Sequence, residues 1–286
     1  MDILILGATG NTGSEVVNQL KQVNADFGVM VRKAEAAAKF DLEDSQIRLG
    51  DYGDITAMTQ AMTGVKKIYV AMPAHPSYRQ WIENVLTAAK TAGIQQIVKL
   101  SGMGAKADAG SEIIRVHAAT DEMVKASGIN YTLVQPNSFF QNLYGSLATI
   151  NEMGMFFLPL ADAKQSVVDI RDVGAVVVAA LTQEGHEGEV YQLSGPQALT
   201  FAEQADIISR AVGKEIRYVA VSGEDAAAEM KQAGVDDWLA EHLAEIMVWF
   251  SEGHYACVTD DVARATGKPA RSFEAFAKEF AKAVQA

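Results

Sequence analysis

The sequence predicts an α/β protein, a Rossmann-type doubly wound parallel sheet followed by a smaller, mostly helical C-terminal domain. Three observations predict it. Short apolar runs alternate with amphipathic stretches through the first half of the chain, the pattern of parallel strands joined by crossover helices. The first run passes directly into a glycine-rich turn that opens a helix. Beyond about Thr200 the strand-like runs give out and helical periodicity takes over.

In chain order, the expected strands are 3–6, 27–31, 47–49, 67–71, 96–100 and 131–134, with helical segments between them at the spacing right-handed crossovers require. They are rich in Val, Ile and Leu on both faces, as strands covered on both sides must be. After Pro136 the alternation fails, and Phe139, Phe140, Tyr144, Met153, Met155, Phe156, Phe157 and Pro159 crowd a stretch with little charge. A helix over 169–181 and a strand over 189–193 are expected to return the chain to the sheet. From Thr200 helices dominate, with one strand-like run at 216–221. The expected division is a dinucleotide-binding domain over 1–150, to which the chain returns over 166–194, and a smaller substrate domain over 195–286.

Composition narrows the function. The 286 residues are 49% hydrophobic and 21% charged, ordinary for a globular protein. No apolar run, 176–181 included, approaches the roughly 20 residues a membrane helix needs. Asp2 follows Met1 where a signal peptide carries positive charge, so a soluble, cytoplasmic protein is expected. The single cysteine, Cys257, excludes an internal disulfide and a thiolate metal cluster. His75, His186, His242 and His254 show no metal-ligand spacing, so no metal is expected. The net charge is -12, and between 183 and 253 fourteen acidic residues face four basic ones, which would repel a nucleic-acid backbone. Redox chemistry must then come from an organic cofactor.

The glycine string Gly7-Ala8-Thr9-Gly10-Asn11-Thr12-Gly13 sits between the first strand and a helix opening near Ser14. Glycine lets backbone turn tightly and approach a pyrophosphate, whose charge the helix N-terminus favours. The spacing G-x-x-G-x-x-G, with no Lys-Ser or Lys-Thr after it, disfavours a nucleotide-hydrolysing loop. At the end of the second strand, where an acid would bind a free ribose 2′-hydroxyl, stand Arg32 and Lys33. A guanidinium and an ammonium there match a 2′-phosphate, so NADP(H) is expected over NAD(H). Asp51 and Tyr52 follow the third strand, placed either to meet the adenine or to serve as helix cap and packing residue. Ala71, Met72 and Pro73 follow the fourth, where a dinucleotide crosses the sheet.

The glycine motif, the Val31-Arg32 strand end, Gly50-Asp51-Tyr52, and Tyr131-Thr132-Leu133 running on to Asn137-Ser138-Phe139 resemble the atypical short-chain dehydrogenase/reductases of the NmrA-like group. The likeness covers nearly the whole chain and is nearest to the bacterial NADPH:quinone oxidoreductase and triphenylmethane reductase type, whose pattern Glu184-Gly185-His186-Glu187 also echoes. It implies NADP(H) lying across the sheet and a substrate cleft against the small domain. It also implies that Pro136, Asn137, Ser138 and Phe139 touch the cofactor, the Asn137 side chain orienting the nicotinamide. Arg171 matches an arginine that reaches the cofactor side in relatives, the alternative being a salt bridge to Asp169 or Asp172.

Typical members of the superfamily protonate a carbonyl with a Tyr whose phenol is tuned by a Lys four residues on. None of the eight tyrosines here has Lys at that position. In its place stand His117 and Asp121, at a spacing that puts both on one helix face. A carboxylate could there hold the imidazole and raise its proton affinity, making His117 a catalytic acid; the alternatives are a helix-surface ion pair or a residue that packs against the cofactor. Without the usual relay, the expected acceptor is a small planar electrophile such as a quinone, reduced by direct hydride transfer without flavin. The stretch 139–157 supplies either the surface for that ring or the core of the second domain. Two other functions remain open: an NADP(H)-sensing regulator without turnover, and a reductase or isomerase of a small metabolite using His117. A monomer or homodimer is expected.

Overall fold

A computed structural model describes residues 1–284; the last two residues of the expected second domain lie outside it. The chain forms two compact units. The first comprises Met1–Ala107, Val116–Gln135 and Ile170–Tyr191; the second comprises Asp108–Arg115, Pro136–Asp169 and the chain from Gln192 onward.

Unit 1 is built on the strands β1 (Ile3–Leu6), β2 (Phe27–Val31), β3 (Ile47–Leu49), β4 (Lys67–Val70), β5 (Gln96–Leu100) and β6 (Asn130–Pro136). With β8 (Val190–Leu193) they form a seven-stranded sheet in the order β3-β2-β1-β4-β5-β6-β8. The pairs from β3 through to β6 are parallel, with Ile3 opposite both Phe27 and Lys67. Every residue of β1 and β2 is buried, as a sheet covered on both faces requires. One layer of core joins Leu4, Leu6, Ile68, Val70, Ile97 and Leu133 of the sheet to Ile82, Val85 and Leu86 of the helix Tyr78–Ala92. Strand order reverses between β2 and β4 on either side of β1, and ligands of open α/β sheets bind at that switch point, beyond the carboxyl ends of the strands.

Unit 2 has its own core. Phe140, Phe156, Phe201, Phe273, Phe276 and Phe280 are all buried in one cluster, their rings in edge-on and tilted pairs. The aromatic stretch after Pro136 therefore supplies core: Phe140, Leu143, Ile150 and Phe156 are buried, and only Tyr144 and Met153 are exposed large apolar side chains. It also contains a strand the sequence did not suggest, β7 (Met155–Leu158), paired in parallel with β9 (Arg217–Ala220). Hydrophobic periodicity cannot reveal it, because Met155-Phe156-Phe157-Leu158 is apolar at every position. Among the described residues no helix is long and apolar enough to cross a membrane.

Candidate functional site

The glycine turn follows β1 directly. Gly7 has φ +87°, a conformation strained for any side chain, and a Cβ there would lie 1.9 Å from the Ala71 carbonyl oxygen. A Cβ on Gly13 would lie 2.1 Å from the Gly7 carbonyl oxygen. Both glycines are thus demanded by the protein's own packing. Gly10 differs: its Cβ would meet only the Gly7 oxygen at 3.5 Å, and the residue is exposed. The space beside it is open.

The helix begins at Asn11, three residues earlier than expected, because Gly10 in extended conformation serves as its N-cap. No side chain caps it, and its first turn holds no acid. Its positive end is therefore unspent, which suits a phosphate. Thr9 and Asn11 are exposed beside Gly10, while Thr12 is buried.

Basic groups gather at the same edge. Arg32 and Lys33 are exposed just past β2, and the positive charge of Arg32 acts on the Tyr52 phenol. The sequence reading missed a third. Lys39, in the 3-10 helix Ala34–Phe40, reaches back so that its Nζ donates to the Thr9 carbonyl at 3.1 Å and to Ser14 Oγ at 3.0 Å. No local signal marks it, since its partners lie 25 and 30 residues away.

Tyr52 ties this corner together. Its hydroxyl donates to the Ala71 carbonyl at 3.2 Å, its ring stacks on Trp81 at 5.6 Å, and burial pushes its phenol well above the ordinary range. Asp51 accepts the Gly53 amide at 2.8 Å; the cap of the helix Ile55–Met62 is Asp54, not Asp51. Ala71 donates its amide to Leu6 at 3.1 Å, Met72 packs against the core, and Pro73 is exposed. Gly7, Tyr52 and Ala71 are thus brought together. Arg171 is in the same unit, on the helix Ile170–Thr182, where its carbonyl accepts Gln19 Nε2 at 2.9 Å from the helix that the glycine turn opens.

At the carboxyl ends of β5 and β6 the polar groups are consumed by one another. Asp121 Oδ1 accepts Lys99 Nζ at 2.7 Å, and Oδ2 accepts Ser101 Oγ at 2.7 Å and Gln135 Nε2 at 2.9 Å. The ion pair is dry, its side chains 0% and 3% exposed. Burial pulls Lys99 below the usual lysine range, while Asp121 pulls it back up. This corrects the expected partnership of His117 and Asp121. The carboxylate is taken by Lys99, Ser101 and Gln135, and His117 Nδ1 is enclosed without a hydrogen-bond partner, the ring lying edge-on to Tyr78 at 5.3 Å. The residue as a whole is half-buried. Burial first, and then the Lys99 charge, drive its pKa down to about 3 against the opposing pull of Asp121. Helical spacing offers the pair, but a buried lysine from another element wins the carboxylate. Lys99 Nζ also lies 5.7 Å from the centre of the Tyr78 ring, yet burial and then Asp121 raise that phenol far above its normal value, so the two do not rebuild a proton relay.

In unit 2, Pro136 is buried, and the Asn137 side chain, expected to orient a nicotinamide, is committed internally. Its Nδ2 donates to Ser166 Oγ and the Tyr255 carbonyl, both at 3.0 Å, and its Oδ1 accepts the Ser138 amide at 2.7 Å. Ser138 Oγ accepts Asn142 Nδ2 at 3.1 Å, and Phe139 is half-buried, bridged to Val168. Among the described residues, no three His, Cys, Asp or Glu side chains are gathered as metal ligands.

A doubly wound parallel sheet with an open glycine turn at its switch point defines a dinucleotide-binding protein of the Rossmann class. The chain belongs to the NmrA-like family, whose profile matches residues 1–277. It is 39% identical over 284 residues to the NAD(P)H azoreductase of Xenophilus azovorans, covering 99% of each chain. Among solved structures it is similar to the NADPH-dependent quinone oxidoreductase of Escherichia coli in complex with NADPH, with TM-score 0.87, 29% identity and coverage of 97% of this chain and 99% of that one. It is also similar to the triphenylmethane reductase of Citrobacter sp. complexed with NADP(H), with TM-score 0.82, 26% identity and coverage of 98% and 100%.

Proposed function

We propose that this NAD(P)H-dependent oxidoreductase of the NmrA-like family uses NADPH in preference to NADH and reduces quinones or similar flat electrophiles without a flavin. The observation that carries the reading is the contrast within unit 1. The Gly10 corner has open space, an uncapped helix end and three nearby cations, Arg32, Lys33 and Lys39. Gly10 and the first helical amides would hold the diphosphate, and Arg32 with Lys33 a 2′-phosphate.

The reduced dinucleotide supplies a hydride when bound. What the chain's own residues withhold decides the acceptor. Ser101 spends its proton on Asp121, Tyr78 is a weaker acid than ordinary tyrosine, and His117 is neutral near pH 7. A simple carbonyl needs a proton as hydride arrives, whereas a quinone accepts hydride as an electrophile and takes its proton from water. NmrA-like relatives named for azo compounds, quinones and triphenylmethane dyes support an acceptor of that kind.

The test is loss of the reduced-nicotinamide absorbance when flavin-free protein and NADPH meet a panel of benzoquinones and naphthoquinones. Turnover with several, and slower turnover with NADH, is the expected result. Tight NADPH binding with no oxidation across the panel would replace this reading with that of a nucleotide-sensing regulator.

A further inference from the structure

Unit 2 contains an open cleft of about 420 Å³ between the helices Gly223–Gln232 and Asp237–Ser251, lined also by Gly110. That volume suits a single small organic molecule. Its floor is apolar, made of Ala227, Ala244, Val248 and Trp249. Two glycines permit this floor. A Cβ on Gly110 would lie 2.5 Å from the Trp249 ring, and one on Gly223 would lie 2.7 Å from a Val248 methyl. Both large side chains are thus seated against bare backbone. The indole is fixed further by its Nε1, which donates to Tyr255 Oη at 3.2 Å.

The cleft is also uncovered. The helix Asp237–Ser251 carries Trp, Leu, Ile, Met, Val and Phe, yet only Ala240 and Ala244 on it are fully buried, and Val248 is 40% exposed. Around the floor stand Glu224, Glu241, Glu245 and Glu252, and no basic residue lines the cleft. Lys231 answers Glu241 at 2.6 Å, and Glu245 accepts the Glu112 amide at 2.9 Å. Glu252 lies 3.3 Å from the His254 ring, while Glu224 has no ion-pair partner among the described residues. The rim is negative, in a region whose acidic side chains outnumber basic ones fourteen to four.

We propose that this cleft binds a flat aromatic monocation. A planar ring system would cover the apolar floor and lie against the indole, and a delocalised positive charge would answer the rim. An aromatic anion meets repulsion there, and a small hydrated cation leaves the floor wet. None of the lining residues belongs to the proposed dinucleotide set.

Thioflavin T, a flat benzothiazolium cation whose fluorescence rises on immobilisation, is the probe, and the full-length protein without nucleotide is the sample. Saturable one-to-one binding at low ionic strength is expected. Ala227→Phe, which fills the floor, should abolish it. The doubly conservative change Glu224→Gln with Glu252→Gln alters only exposed side chains, leaves the floor intact, and should weaken binding about tenfold. The anionic dye 8-anilinonaphthalene-1-sulfonate, of similar apolar area, should not compete. Failure of the wild type to bind, binding indifferent to the glutamine pair, or anilinonaphthalenesulfonate binding as tightly with the same sensitivity to Ala227→Phe would each overturn the proposal.

Discussion

Two corners of unit 1, both at the carboxyl edge of one sheet, treat their polar groups in opposite ways. At the end of β1 the turn keeps its options open: Gly10 faces free space, no side chain caps the helix, and Arg32 and Lys33 point outward from the end of β2. At the ends of β5 and β6, Lys99, Ser101 and Gln135 converge on one buried carboxylate. The first corner leaves a backbone turn and a helix N-terminus uncovered by side chains. At the second, the polar groups satisfy one another, which is what favours the proposed acceptor that asks for no acid.

The sharpest way to break this contrast is to add one methyl at each glycine of the turn. Gly7→Ala collides with a backbone carbonyl held by the sheet and strains a left-handed φ, so it should cost roughly 5 kcal/mol and yield little folded protein. Gly10→Ala should melt within about 0.5 kcal/mol of the wild type. Its NADPH affinity should nonetheless fall about tenfold, as a methyl intrudes where phosphate approaches. Thermal melts and nucleotide titrations check both. A Gly10→Ala protein that binds NADPH normally would show that the open space serves nothing.

The second corner should respond next most strongly. Lys99→Met leaves Asp121 charged and dry, at a cost of about 3–5 kcal/mol. Adding Asp121→Asn removes the stranded charge and keeps an acceptor for Ser101 and Gln135, so denaturant melts of the double variant should recover most of that loss. Equal instability of single and double variants would mean that the pair's charge is not what matters.

These corners were not equally legible in the amino-acid order. The glycine turn, its strand and its helix are contiguous, so spacing alone locates them, and the sheet emerged because apolar runs recur at crossover intervals. The buried network could not be read, since its members come from two strands, a strand end and a helix 14 to 22 residues apart from Asp121. Local spacing even misdirected the reading, because the i,i+4 rule offers His117 to Asp121 while folding delivers Lys99. The same non-locality hid Lys39, and the internal hydrogen bonds of Asn137 hid in a separate unit.

A milder change sharpens the first corner. Arg32→Ala should weaken NADPH binding by about 1.5–3 kcal/mol, roughly ten- to hundredfold, and leave NADH binding nearly unchanged, because only the former carries the 2′-phosphate. Calorimetric titration of both nucleotides decides it. Equal losses would mean that Arg32 shapes the site without reading the phosphate.

The smallest effect separates the two corners most finely, and it concerns His117. With its pKa held near 3 in the folded chain against an ordinary 6.5, the imidazole is neutral at every pH where the enzyme would work. Quinone reduction should therefore run flat between about pH 6 and pH 8, and His117→Gln should lower the rate less than about fivefold. The sign for stability is equally definite. The folded chain resists protonating His117 and the unfolded chain does not, so this contribution is fully present above 6.5 and drains away as pH falls from there toward 3. Thermal melts at pH 7 and pH 5 should show the wild type losing stability that His117→Gln keeps. A bell-shaped rate profile with a limb near 6.5, abolished by the same substitution, would instead make His117 the acid and move the second corner from a finished network to a working one.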